Sequence, residues 1–346
     1  MKALIYQGPG KKALEERPKP TIKNPSDAVI KLKKTTICGT DLHILKGDVA
    51  TCAPGRILGH EGIGIVENVG SGVTEIKPGD KVIISCITSC GKCEPCRKGM
   101  YSHCTKGGWI LGNTIDGTQA EYVLIPQADT SLYKIPEGVN EEDLVLLSDI
   151  LPTGFECGVL NGKIQPGSTV AIVGAGPIGL ATLLTAQFYS PAEIIMIDVD
   201  ENRLNRAKRL GATQIISNLD GKAASKVMQI TNNRGVDTAI EAVGTPSTFV
   251  LTEDLVAAGG TIANIGVHGT KADLHLERLW SQNITITTRL VDTVSTPMLL
   301  KALCAHKMEP HSLISHHFKF ENILEAYDTF GQAEKTQALK VIIDVS

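Results

Sequence analysis

The sequence predicts an α/β protein of two parts, a doubly wound parallel sheet joined to a β-rich domain. Three observations carry this. From about residue 166, strand-like and helix-like segments alternate, which indicates a parallel sheet covered on both faces. Within that region GAGPIG follows the apolar run VAIV and opens a helix. The first third instead alternates short β-like runs with Gly/Pro turns. At 346 residues the chain exceeds one typical domain, so two are expected.

The elements follow in order. The N-terminal MKALIYQGPGKK has too short an apolar run for a signal peptide. AVIKLKKTTI (28–37), GIGIVENVG (62–70) and KVIISCI (81–87) read as strands, the last entered through the turn KPGD. TVAIV is a buried strand and PIGLATLLTA a helix. EIIMIDVD (193–200) is the next strand. ENRLNRAKRLGA (201–212) is a helix with Leu204, Ala207 and Leu210 on one face and Gly211 as its stop. QIISN, a helix near 221–233, VDTAIEAVG, a helix near 247–257, GGTIANIGV and NITITTRL continue the alternation. Helices over 297–307 and near 321–330 and a last strand, KVIIDV, close the chain.

Composition excludes several classes. Lys and Arg number 34 against 37 Asp and Glu, so no basic field suits a nucleic acid. The stretch 169–186 is nearly long enough to span a bilayer, but Gly174, Gly176, Pro177 and Gly179 interrupt it. A cytoplasmic protein with no membrane partner is expected. Nine cysteines without an export signal then point to metal or catalytic use rather than disulfides.

The glycine turn suits a dinucleotide. Gly174 permits the tight turn, Gly176 lets a pyrophosphate approach the backbone, and Gly179 lets helix and strand pack closely. Pro177 and Ile178 begin the helix whose free N–H groups face the phosphates. Asp198 ends the next strand, where a carboxylate accepts from ribose hydroxyls and repels a 2′-phosphate; NAD is favoured, with Arg203 close enough to leave some NADP use open.

Cys90, Cys93, Cys96 and Cys104 have the spacing C-x2-C-x2-C-x7-C. Four thiolates close a zinc tetrahedron, so an ion here is structural, and it stabilises a loop too poor in apolar residues to fold by burial. The ferredoxin run differs, with three intervening residues and a final Cys-Pro where this chain has Cys104-Thr105. His103 could take the place of Cys104 as fourth ligand, but it reads as a surface residue.

A second, dispersed set supplies Cys38, Thr40, Asp41 and His43 from CGTDLH, His60 and Glu61 from GHEG, and Asp149 from LLSDILPTGF. Taken singly, each is an ordinary buried or turn residue. Gly59, His60, Glu61, Gly64, Gly70 and Val73 match G-H-E-x2-G-x5-G-x2-V. With the cysteine lobe, CGTDLH, PTGF and GAGPIG in order, the whole chain resembles the zinc-dependent medium-chain alcohol dehydrogenases of the bacterial secondary-alcohol type.

The resemblance implies a GroES-like catalytic domain over 1–151 and 288–346, with the structural zinc lobe at 88–106. It implies a Rossmann NAD-binding domain over 152–287, and an active site in the cleft between the domains. Two zinc ions per subunit are implied, the catalytic one on Cys38, His60 and Asp149, with Glu61 adjacent and able to enter the coordination sphere. Asp149 stands where the long-studied members carry a second cysteine. One thiolate, one imidazole and one carboxylate offset the ion's charge and leave a fourth position open.

The resemblance assigns Thr40 and His43 to a proton relay. Asp41 orients the local backbone or His60, or serves as a turn residue. Thr153, Val243, Gly244, Gly266, Val267 and Leu290 are placed at the cofactor. Lys340 is read either as a pyrophosphate contact or as a solvated lysine. Cys86, Trp109, Ile150 and Leu290 surround the substrate; Trp109 equally suits plain packing. Cys86 stands where primary-alcohol enzymes carry a bulky aromatic, which implies secondary alcohols and ketones. Formaldehyde, polyol and threonine dehydrogenases are the alternatives within the family, and a non-catalytic dinucleotide-binding structural protein the alternative outside it. A homodimer or homotetramer is implied.

Overall fold

The structure, a computed structural model, describes residues 1–345. The chain divides into two compact units, Met1–Asp149 together with the segment from Asp292 onward, and Ile150–Val291. The boundaries differ from the expected 151/152 and 287/288. Ile150 and Leu151 belong to the short helix Ile150–Thr153, which runs directly into the π-helical Gly154–Leu160 of the second unit. Thr288 pairs with Asn264 in the second unit's sheet, so the return falls later.

The second unit holds a six-stranded sheet in which every pairing is parallel. Its order is Gln214–Ser217, Glu193–Asp198, Thr169–Val173, Val236–Glu241, Val256–Asn264, Thr285–Thr288. The earliest strand is central and later strands extend to either side, so the winding reverses beside it; ligands bind at such reversals. Val170, Ala171, Ile172 and Val173 are all buried, because helices cover both faces and an unalternating apolar run is then required. Helix Glu201–Arg209 is capped by Asp200, whose carboxylate accepts from the N–H groups of Asn202 (2.8 Å) and Arg203 (3.2 Å). Such a cap stabilises by about 1 kcal/mol. Leu204 and Ala207 turn inward, and Gly211 leaves at φ +107°, a conformation that costs glycine nothing.

The first unit is built on a mixed seven-stranded sheet and the antiparallel ribbon Lys2–Gly8 with Lys11–Glu16. Ala28–Thr36 pairs with Gly62–Val69 across two register shifts. Gly64 is required there: a Cβ would lie 2.3 Å from the Lys31 carbonyl oxygen. The last strand, Lys340–Asp344, pairs antiparallel with Ala28–Thr36 and parallel with Ile314–Lys319. It thereby brings the end of the chain beside the segment that carries Cys38. Among the described residues, no helix is long and apolar enough to cross a membrane.

Candidate metal centre and dinucleotide site

Cys38 follows strand Ala28–Thr36 and caps helix Gly39–Lys46. Asp41 pins it there, its carboxylate accepting the Cys38 N–H at 2.9 Å. The same carboxylate receives Gln119 Nε2 at 3.2 Å, and Tyr327 donates its hydroxyl to Gln119 Oε1 at 2.8 Å. Asp41 Oδ1 lies 3.6 Å from His60 Nδ1, on the ring edge away from the cluster. One Asp41 carboxylate thus holds the Cys38 backbone and faces the far nitrogen of His60.

His60 and Glu61 lead into strand Gly62–Val69. Asp149 is brought up by Ser148, whose hydroxyl bonds to the Gly62 backbone at 3.2 Å and whose carbonyl accepts the Cys86 N–H at 3.0 Å. Cys38, His60, Glu61 and Asp149 each present one ligand atom, all within 4.8 Å of one another, and all four residues are buried. His60 Nε2 is 3.3 Å and Cys38 Sγ 3.7 Å from Asp149 Oδ2.

The electrostatics of this cluster fit a cation. Burial disfavours the charged form of His60, yet Asp149 and Asp41 outweigh it and raise its pKa well above the ordinary imidazole value. Burial pushes the Cys38 thiol up, and Asp149 and Glu61 push it further while His60 opposes. Burial also raises Glu61, against the opposing charge of Lys340. Three acidic groups around one imidazole, out of water, call for compensating positive charge. A divalent ion with N, O and S ligands supplies it.

Thr40 Oγ1 lies 3.7 Å from Cys38 Sγ, and His43 follows three residues later on the same helix face. His43 Nδ1 is 2.9 Å from Asp48 Oδ2. Trp109 sets its ring edge-on to His60, centroids 6.4 Å apart. Cys86 and Ile150 are buried.

Lys340 requires a correction. It does not sit in solvent. Its ammonium is buried and ion-paired with Glu61 at 2.7 Å, because the last strand carries it inward beneath the metal cluster. Sequence reading also missed Ser148 and Gln119. Ser148 was detectable as a hydroxyl within the apolar run LVLLSDIL.

Cys90, Cys93, Cys96 and Cys104 form the second group of ligand atoms within 4.8 Å. Pro95 stands in the single turn Glu94–Arg97, which Cys93 caps and which carries Cys96. The N–H groups of Cys96 and Thr105 lower Cys93 to about 6, while burial and then its neighbouring thiols push Cys96 up to about 12. A four-thiolate zinc site fits this lobe. Asp292 anchors it, accepting the Ser102 N–H at 2.8 Å and hydroxyl at 2.6 Å.

In the second unit Gly174 adopts φ +106°, and a Cβ on Gly179 would lie 1.8 Å from the Gly174 carbonyl oxygen. A Cβ on Gly176, by contrast, would meet nothing within 4 Å. The turn is thus tight where helix meets strand and open where a pyrophosphate would approach, at the N-terminus of helix Pro177–Ala186. Asp198 accepts the Ala175 N–H with one oxygen and those of Val199 (2.8 Å) and Asp200 (2.9 Å) with the other. Arg203 is half-buried, its Nε 3.8 Å from Asp200. Thr153 lies in helix Ile150–Thr153. Val243, Val267 and Leu290 are 47%, 56% and 44% exposed.

The chain matches the alcohol dehydrogenase GroES-like domain family over residues 24–137 and the zinc-binding dehydrogenase family over residues 177–302. It is 34% identical over 368 residues to an alcohol dehydrogenase of Cupriavidus necator, covering 99% of this chain and 98% of that one. Its fold superposes on zinc dependent alcohol dehydrogenase 2 from Streptococcus pneumonia, apo form, with TM-score 0.96 and 53% identity, covering 100% and 99% of the two chains. It also resembles the alcohol dehydrogenase RspB of Escherichia coli CFT073, complexed with cofactor NADH, with TM-score 0.90, 26% identity and 100% and 99% coverage. The protein belongs to the zinc-dependent medium-chain alcohol dehydrogenase family. Its mixed-sheet unit is the GroES-like domain of that family, and its parallel-sheet unit the Rossmann domain.

Proposed function

We propose that the protein is a zinc- and NAD(H)-dependent alcohol dehydrogenase acting reversibly on small alcohols and ketones, with secondary alcohols preferred. The observation that carries the reading is the buried convergence of Cys38, His60 and Asp149, with Glu61 beside them, in a chain that also holds a glycine turn open at Gly176. When bound, zinc supplies Lewis-acid polarisation of an alcohol or carbonyl oxygen, and the nicotinamide gives or takes the hydride.

The chain's own residues do the rest. Cys38, His60 and Asp149 hold the ion, and Asp41 holds Cys38 and faces the far nitrogen of His60. The Thr40 hydroxyl, beside the Cys38 sulfur, accepts the substrate proton at Oγ1 as it gives up its own toward His43. His43, backed by Asp48, exchanges it with water. Gly176 and the helix N-terminus bind the pyrophosphate, Asp198 the adenosine ribose. Thr153, Val243, Gly266, Val267 and Leu290 line the cofactor. Cys86, Trp109 and Ile150 bound the substrate, and a thiol at 86 rather than an aromatic ring leaves room for the second carbinol substituent.

The test is absorbance at the NADH band with NAD or NADP and 2-propanol, 2-butanol, ethanol, a polyol, threonine or formaldehyde, with and without a chelator. Chelator-sensitive NAD reduction by the secondary alcohols supports the reading. Preference for ethanol overturns the substrate assignment, and inertness toward every substrate favours a non-catalytic dinucleotide-binding protein.

A further inference from the structure

Two loops leave the C-terminal ends of strands Val236–Glu241 and Val256–Asn264, and they carry the exposed Val243 and Val267. The first loop abuts the glycine turn: a Cβ on Gly174 would lie 2.6 Å from Val243 Cγ2. The second abuts the first: a Cβ on Gly244 would lie 2.3 Å from the Val267 carbonyl oxygen.

One residue ties both loops down. Glu241 ends its strand fully buried, and its Oε1 accepts three hydrogen bonds, from the N–H groups of Val243 (3.0 Å) and Gly244 (2.9 Å) and from the Thr248 hydroxyl (2.7 Å). Its main-chain carbonyl accepts the N–H groups of Ile265 (2.8 Å) and Gly266 (3.1 Å) in the other loop. Its second carboxylate oxygen is buried without a hydrogen bond. That oxygen faces Gly266, where a Cβ would come within 2.1 Å, and lies 3.5 Å from His268 Nε2. The His268 nitrogen is 2.8 Å from Asn264 Oδ1, and Asn264 Nδ2 donates to the Gly266 carbonyl at 3.1 Å.

A neutral amide oxygen could receive the same three donors. A carboxylate adds a buried charge, which is costly unless compensated, and here an imidazole stands beside the otherwise unpaired oxygen. The groups fixed by this arrangement are the loops at the winding reversal of the sheet, where ligands bind. We propose that Glu241, with His268, is a positioning residue for the dinucleotide. It sets the two loops at the level where Val243 and Val267 present apolar surface to the cofactor. Its carboxylate is buried, so it acts through the valines and does not touch the cofactor. The inference rests on the dinucleotide reading above.

The test titrates zinc-loaded enzyme with NADH, followed by nicotinamide fluorescence, alongside thermal melting without cofactor. Glu241→Gln keeps an acceptor for the loop but removes the charge beside His268; His268→Leu removes the imidazole; His268→Gln restores a donor. The expected result is NADH binding about fivefold to tenfold weaker in Glu241→Gln and His268→Leu, the size of effect that losing one buried polar partner carries, with His268→Gln close to wild type. Cofactor-free melting of His268→Leu stays at the wild-type temperature. Wild-type affinity in both weakened variants overturns the proposal, as does melting that falls in step with affinity, which marks a purely structural role. Wild-type enzyme that binds neither NADH nor NADPH overturns the dinucleotide reading and this proposal together.

Discussion

Lys340 Nζ lies 2.7 and 2.9 Å from the two carboxylate oxygens of Glu61, and both side chains are 1% exposed. The pair adjoins the cluster of Cys38, His60 and Asp149. Burial disfavours the ammonium, yet Glu61 and then Cys38 hold its pKa above the ordinary lysine value. Three anionic ligand groups plus one ammonium leave a net double negative charge, which a divalent ion balances. Lys340 therefore enters the charge balance of the candidate metal site, although it cannot itself be a ligand while protonated.

Replacing Lys340 with methionine leaves Glu61 buried without its counter-charge. Removing one partner of a buried pair typically costs about 3–5 kcal/mol. The expected outcome is a lower melting temperature for the metal-free protein, partly recovered on adding zinc, because Glu61 then turns to the ion. Zinc release to a chromogenic chelator should be slower in Lys340→Met than in wild type, while Lys340→Arg stays near wild type. Unchanged melting and unchanged zinc release would show that the pair carries no such role.

Asp149 belongs to the same cluster, its carboxylate beside Cys38 and His60. Asp149→Ala removes one ligand and one negative charge. Most activity should disappear and zinc should dissociate faster, while NADH affinity by fluorescence titration stays close to wild type. Near-normal turnover would be irreconcilable with ligation by this carboxylate.

How much of this was legible in sequence depends on chain separation. The glycine turn, Asp198 and the four-cysteine lobe are local patterns, and each spacing carries its own geometric reason. The metal cluster is not local. Asp149 is 111 residues from Cys38 and 89 from His60, so only resemblance to a family, not spacing, could join them. The Lys340–Glu61 pair spans 279 residues, and a lysine at the start of a strand gives no sign of its own that it is buried. Glu241 likewise reads as one more residue at a strand end. Its weight comes from three donors that converge only when the following loop folds back on it.

The cysteine lobe should show an ordered reactivity once its ion is removed. The thiolate is the nucleophile. Cys93 is lowered from 9.0 to about 6, so its alkylation by iodoacetamide should rise as pH passes upward through about 6 and level off above it. Cys96, raised to about 12, should remain the slowest of the four at neutral pH. The sign for folding follows: Cys93 contributes stability that is present above its unfolded pKa and lost as pH falls toward 6, whereas Cys96 contributes stability present below its unfolded pKa and lost as pH rises toward 12. Peptide mass spectrometry after brief alkylation reads the order directly. Zinc should protect all four, and equal labelling of Cys93 and Cys96 would contradict the lobe's geometry.

Asp198 sets the last prediction, because its carboxylate performs two tasks. One oxygen accepts the Ala175 N–H inside the glycine turn, and the other accepts two N–H groups at the start of the next helix. A half-exposed carboxylate retains further acceptor capacity for ribose hydroxyls, and its charge opposes a 2′-phosphate. Asp198→Ala removes both the attraction and the repulsion, so NAD should bind more weakly and NADP less so. The NAD-to-NADP ratio of kcat/KM should fall by about tenfold or more, since hydrogen bonds to a charged group contribute about 1.5–3 kcal/mol. Asp198→Asn keeps one acceptor oxygen but drops the charge. It should lower the ratio with a smaller fall in melting temperature than Asp198→Ala, which separates charge repulsion from loss of the turn. A ratio unchanged in both variants would place cofactor discrimination elsewhere, with Arg203 the next residue to replace.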